Sequence, residues 1–272
     1  MKPIDFDRKF FEYAQGWIAM RPNMTERKID ESYNQIMLDW LNAPATWLGG
    51  ATPGTYFQKY DDPIELVGMV EQYVRSEIGV PEPLYNRIVS LGAAAEDALL
   101  YALTKKKSPT ELKSTVLGML MDIDGDKPIP ACVDIVCQNV GDDDLREMAV
   151  DILSRKGEKA LPNLLERYPN VSADAQLLIL DVACNFPGDE RIYTYAVEKL
   201  LQDPEHRALS ASFLNKLGDA RAIEPLTRVL SLSDLGYLDY IELRNAVEAL
   251  GGDPGEERCF DGDADYEAMR NM

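Results

Sequence analysis

The stretch DDDLREMAVDILSRKGEKALPNLLERYP, residues 142–169, decides the fold class. Leu145, Met148, Ala149, Ile152 and Leu153 recur at i, i+3, i+4, i+7 and i+8, which is one face of an α-helix. The Asp run at 142–144 supplies an N-cap and puts negative charge at the positive end of the helix dipole. Gly157 then breaks the helix and lets the chain turn. A second apolar face follows at Leu161, Leu165 and Tyr168, at +4, +8 and +11 from the glycine. The stretch reads as a helical hairpin with two oily flanks.

The same phase recurs on both sides. Ile129, Val133 and Val136 follow Gly125 at these offsets, and Ala222, Leu226 and Val229 follow Gly218. After Gly188 come Ile192 and Ala196, with the third position slipping by one to Leu200. Prolines enter the early turns of three of these second helices, at Pro128/Pro130, Pro162 and Pro225, where the backbone N–H groups lack internal acceptors anyway. Asp126, Asp189 and Asp219 directly follow three of the glycines, as N-caps should. Gly92, Gly125, Gly157, Gly188, Gly218 and Gly251 are spaced 33, 32, 31, 30 and 33 residues apart, the mark of a stacked repeat. Each repeat buries its apolar stripe only against its neighbours.

The segments LGAAAEDALLYAL (91–103), DDLREMAVDILSRKGEKALPNLL (143–165) and HRALSASFLNKLGDARAIEPLTRVL (206–230) resemble HEAT repeats, and most of all the bacterial HEAT-like repeats of the phycobilisome-lyase type. Arg146, Arg207 and Arg244 match the family's first-helix arginine, each 11 residues before a glycine (Gly157, Gly218, Gly255). The unit around 172–202 departs from the pattern, with Gln176 near the arginine's place. The resemblance implies an all-α fold, a right-handed α–α superhelix of about five hairpins over residues 84–255. It implies almost nothing about activity, because fold does not carry function.

Residues 1–83 do not obey the repeat and are expected to form a helical N-terminal cap. Helices are predicted over 4–20 (Phe6, Phe10, Tyr13), over 26–42 capped by Thr25 (Ile29, Tyr33, Ile36, Met37, Trp40), and from Pro63 to about residue 78 (Leu66, Val67, Val70, Val74). Between the last two lies the aromatic loop 44–62, with Trp47, Tyr56, Phe57 and Tyr60 among glycines and prolines. Either it folds back to cover the open end of the repeat stack or it forms a binding surface. The acidic tail 256–272, with Phe260 and Tyr266, poses the same choice between capping and docking. Trp47, Tyr56, Phe57, Phe260 and Tyr266 are therefore the candidate partner-binding residues.

The 272 residues carry 47 acidic against 28 basic side chains, a formal charge of −19. Such a field repels phosphate backbones and anionic membranes and suits a basic partner. The second helices carry mixed charges without a basic stripe, which weighs against a nucleic-acid interface. No secretory leader is expected from the opening MKPIDFDRKFFEY, and no stretch approaches the roughly 20 apolar residues of a membrane span. Cys132, Cys137, Cys184 and Cys259 show no paired spacing, so a reduced cytoplasmic setting is expected. His206 is the only histidine, which argues against multi-histidine metal sites and against a serine–histidine nucleophile. The alternating acids of DIDGD (122–126) and DGDADYE (261–267) lack the sixth-position glycine and twelfth-position acid of a calcium loop. No catalytic, cofactor or metal site is expected. The leading reading is a non-enzymatic α-solenoid scaffold that binds a protein or peptide, of basic character, on its curved face; its oligomeric state stays open. The alternative is an enzyme or small-molecule carrier with a pocket where the aromatic loop 44–62 meets the solenoid.

Overall fold

The computed structural model describes residues 2–138 and 141–270, and all the regular structure there is helical. The α-helices are α1 Phe6–Ala19, α2 Glu26–Asn42, α3 Pro63–Arg75, α4 Glu82–Ser90, α5 Glu96–Thr104, α6 Thr110–Ile123, α7 Ile129–Gln138, α8 Asp143–Lys156, α9 Leu161–Arg167, α10 Ala173–Ala183, α11 Glu190–Gln202, α12 Arg207–Leu217, α13 Ile223–Leu230, α14 Tyr237–Ala249 and α15 Ala264–Arg270. No described helix is long and apolar enough to cross a membrane. The chain divides into two compact units: one runs to Ala131 and takes in Asp142–Met148, the other holds Cys132–Gly141 and everything from Ala149 on.

Every one of the six periodic glycines lies just past a helix, namely α4, α6, α8, α10, α12 and α14. The expected +4, +8 and +11 positions of the second helices are buried at Ile129, Val133, Val136, Leu165, Tyr168, Ala222, Leu226 and Val229, and Leu161 is half-buried. Asp142, Asp189 and Asp219 cap as expected: their carboxylates accept from the N–H groups of Leu145 (3.0 Å), Arg191 (3.0 Å) and Arg221 (2.9 Å). Thr25 stands at the N-cap position of α2, but its side chain makes no capping bond.

In the first unit, α3 packs on α5 and α4 packs on α6, so alternate helices form two layers. Ahead of them, α1 and α2 pair, and the 3₁₀ turns Thr46–Leu48 and Pro53–Lys59 give the aromatic loop regular structure. Phe6 is the hub. Its ring meets Trp40 (6.2 Å), Trp47 (5.4 Å), Tyr56 (6.2 Å) and Phe57 (5.5 Å), in the edge-on and tilted geometries that ring quadrupoles favour. The loop folds back into the core.

In the second unit the alternation continues, α11 on α13 and α12 on α14. The unit that lacks the arginine is held by a lysine instead. Lys199 is buried, donates to Asp203 (3.1 Å) and Gln176 (3.3 Å), and Gln176 in turn donates to the Tyr168 carbonyl (3.2 Å). The three family-matching arginines do not share one role. Arg244 reaches the Gly255 carbonyl (3.0 Å), eleven residues on. Arg146 pairs with Asp143, and the Arg207 Nε is buried with no hydrogen-bond partner.

Two of the periodic glycines are required for different reasons. Gly218 ends α12 in the left-handed region at φ +70°, where a Cβ is strained. At the same phase in the first unit, Asp124 takes the left-handed turn (φ 60°), and Gly125 serves another purpose. A Cβ on Gly125 would fall 1.6 Å from Oε1 of Glu96, an almost fully buried carboxylate that faces Lys127 at 3.7 Å. Gly68, by contrast, has open space where its Cβ would be and lies inside α3. Gly125→Ala is expected to destabilise the first unit by about 1–3 kcal/mol through overpacking, with part of the loss recovered in Gly125→Ala/Glu96→Ala. Gly68→Ala is expected to stabilise it by about 0.5–1 kcal/mol through the helix entropy term. Urea unfolding followed by circular dichroism checks both signs.

Candidate functional site

Asp62 and Pro63 start α3: the Asp62 carboxylate accepts from the Ile64 N–H (2.9 Å), and proline occupies the first helical position. The apolar stripe of α3 (Leu66, Val67, Val70, Val74) then turns inward against α5. α5 answers with Leu99, Ala102 and Leu103. Two large apolar side chains fall off these stripes and stay in solvent, Ile64 at 75% and Tyr101 at 71% exposure.

Between them runs a groove of about 600 Å³. Its floor is built of Val67, Gly68, Ala98 and Ala102, all short, which is why a trough exists where the two helices meet. Asp62, Glu71 and Asp97 stand on its rim with Lys105. Glu71 accepts from Arg75 (2.6 Å) and from Lys105 across the helix pair (3.2 Å), and the Arg75 bond holds its carboxyl below the usual range. Asp97 pairs with Lys127 at 2.7 Å. The groove is therefore apolar at the bottom and carries more acid than base at the edge. A trough of this size takes the side chains of a peptide segment or a small amphiphile.

A second trough, of about 780 Å³, lies in the other unit between α7 and α9. Its walls mix polar and apolar surface, with Asn163, Glu166, Arg167 and Asn170 beside Cys137, Pro162 and Val171. Arg167 is engaged by Asp134 at 2.7 Å, and burial pushes the Cys137 thiol up, so the cysteine there is a packed side chain rather than a nucleophile.

The residues singled out from the sequence lie elsewhere. Tyr56 and Phe57 are buried around Phe6, and Trp47 is half-buried against the same ring. The cavity beside Tyr56 and Phe57 measures about 20 Å³, room for about one water. Tyr73, which lines it, donates to the Ile4 carbonyl (3.0 Å), and burial raises its phenol to about 12. Phe260 and Tyr266 are half-buried against Tyr237 (5.4 and 5.0 Å), and Phe260 also meets Tyr240 (4.8 Å). The tail around them makes two helix caps. Arg258 donates to the Leu230 and Leu232 carbonyls at the end of α13, and Asp263 accepts from the Tyr237 N–H (3.1 Å) at the start of α14. The acidic motif 261–267 thus has its central carboxylate committed to backbone N–H groups, those of Asp265 and Tyr266 included. Met272, at its twelfth position, lies outside the described residues. In the other acidic motif, Asp122 accepts from the Tyr85 hydroxyl at 2.6 Å. His206 stands before α12 with Nδ1 3.0 Å from Asp203.

Sequence reasoning missed Ile64, Tyr101 and the small-residue floor. The signal was present: both are large apolar residues out of phase with their own helix stripes, above positions held by glycine and alanine. No protein-family model, curated protein or solved structure matches this chain.

Two outcomes follow from these contacts. The neutral Tyr73 phenol is favoured in the fold, so its contribution is whole below pH 10 and falls away as pH rises toward about 12. Tyr73→Phe is expected to flatten that part of the stability–pH curve. Arg258→Ala, which strips two carbonyl caps, is expected to cost about 1–3 kcal/mol and to make the tail cleavable by trypsin at Arg270 under native conditions.

Proposed function

We propose that this protein is a non-enzymatic, HEAT-like α-solenoid scaffold that binds a basic, amphipathic protein segment in the α3–α5 groove. One observation carries the reading: Ile64 and Tyr101 stand exposed on either side of an alanine- and glycine-floored trough rimmed by Asp62, Glu71 and Asp97. Large apolar side chains held in water beside a concave floor favour an occupant with its own apolar anchors. The chain's net charge of −19 favours cationic flanks on that occupant and speeds its encounter, while on the rim Glu71 and Asp97 already hold Arg75, Lys105 and Lys127 as partners. The periodic glycines and the alternating two-layer packing inside each unit support the HEAT-like assignment. In a right-handed superhelix of that type the second helices line the curved face, and α5 is one of them. A nucleic-acid partner is disfavoured by the same charge.

The small-molecule alternative placed its pocket at the aromatic loop. There the space beside Tyr56 and Phe57 is about 20 Å³, too little for a substrate. The groove is the better candidate.

The test uses fluorescently labelled 15-residue peptides with Leu at i, i+3, i+4 and i+7, flanked either by Lys/Arg or by Glu/Asp. Binding of the basic set at micromolar affinity, weakening as salt rises, is expected. Ala98→Trp, which fills the floor, and Tyr101→Ala, which removes an anchor, are each expected to weaken it about tenfold or more with the helical circular dichroism unchanged. Equal binding of acidic and basic sets, or full affinity in Ala98→Trp, would overturn the proposal.

A further inference from the structure

From residue 11 to residue 35, across the end of α1, the turn and the first half of α2, no side chain is buried. This is not a polar segment. It holds Phe11, Tyr13, Trp17, Ile18, Met20, Met24, Ile29 and Tyr33. Tyr13 and Trp17 continue the stripe that Phe6 and Phe10 begin on α1, while Ile29 and Tyr33 lead into Ile36 and Trp40 on α2. At the inner end the stripes close on each other, with Phe10 5.6 Å from Tyr33 and 5.4 Å from Trp40. Further out, among the described residues, no third wall completes the cover, and Tyr13, Trp17 and Ile29 are only half-buried. Phe11, Met20 and Tyr33 are 61%, 78% and 53% exposed. Two helices alone cannot exclude water from both of their facing stripes, and helix pairs of this length are marginal without tertiary cover.

The charge pattern says what covers the arm. Residues 11–35 hold Glu12, Glu26, Asp30 and Glu31 against Arg21, Arg27 and Lys28, a net of −1. Arg27 and Glu31 pair with each other at 3.0 Å, and Arg21 lies 3.7 Å over the Trp17 ring, so even these charges are locally matched. The remaining 247 residues carry −18. Two copies of so acidic a chain repel over most of their surface, and this arm is the apolar stretch through which they meet at least electrostatic cost. A cationic partner finds no local excess of acid on the arm itself.

We infer that the α1–α2 arm is a self-association surface, on which the arm of a second copy of this chain supplies the missing wall. The pairing is two-fold, stripe against stripe, and makes a four-helix layer from two hairpins. It is independent of the peptide groove between α3 and α5.

Sedimentation equilibrium of the full chain tests it, over about 1–100 µM protein. Twice the monomer mass at the upper end is expected, with tighter association as salt screens the like charges between about 50 and 300 mM. The peptide groove is expected to show the opposite salt dependence, so the two proposals fail separately. Trp17→Asp and Tyr33→Asp are each expected to weaken association about tenfold or more, and since neither ring is buried the helical content of the body should hold. Leu38→Asp, which changes an exposed residue on the far side of α2 from the stripe, is expected to leave it unaltered. A chain that stays monomeric throughout, or association that survives both arm variants, would overturn the inference.

Discussion

An apolar flank that no single helix can hide, removed from water by packing against neighbouring helices, is the constraint on which everything else in this protein rests. Val133, Leu165, Ala196 and Leu226 stand at one phase of four successive second helices, and all are buried. Each is a small or branched aliphatic on a helix of thirteen residues or fewer, short for an isolated helix in water. The helices persist because the oily face they present is removed from water by a neighbour, at roughly 25 cal/mol for each Å² covered. The glycine turns only set the phase in which this occurs.

Such packing leaves a difficulty wherever a neighbouring helix is missing. The chain answers it with aromatic side chains and with backbone caps. At Phe6 four rings from α2 and the loop 44–62 converge, and the loop ceases to be a loop in the ordinary sense. Beyond α14, Arg258 and Asp263 take up the open carbonyl and N–H groups of two helix ends while Phe260 and Tyr266 lie on Tyr237. Where neither device is used, apolar surface remains in water: in the trough of α3 and α5, and along the arm of α1 and α2. Function is proposed at those two places because the packing that explains the rest stops there.

The hairpin phase was legible in the residues because it is local. A helix stripe needs only the 3.6-residue period, a turn needs only a glycine, and a cap needs only an aspartate next to it, so α8 to α13 follow from their own segments. The arginine pattern was less legible. Arg244 finds the carbonyl eleven residues on, whereas the buried Nε of Arg207 finds no partner, so what such an arginine reaches depends on what the following turn presents. The role of Gly125 was hidden for the same reason: its spacing suggested a turn, yet Asp124 makes that turn and Gly125 yields room to Glu96, twenty-nine residues away.

The sequence by itself determined the all-helical class, the helix ends marked by the periodic glycines and which face of each second helix is oily, because these depend on residues within one or two turns of one another. Tertiary structure alone decided that Tyr56 and Phe57 belong to the core, that the tail residues Arg258 and Asp263 are caps, and that Ile64 and Tyr101 face each other across a trough. Those outcomes depend on which helix lies beside which, and a contact between distant segments is set by the sum of all packing rather than by the residues that make it. An aromatic ring in a glycine-rich loop is equally suited to solvent-side recognition and to burial, and only the presence of Phe6 at the right distance settles its place.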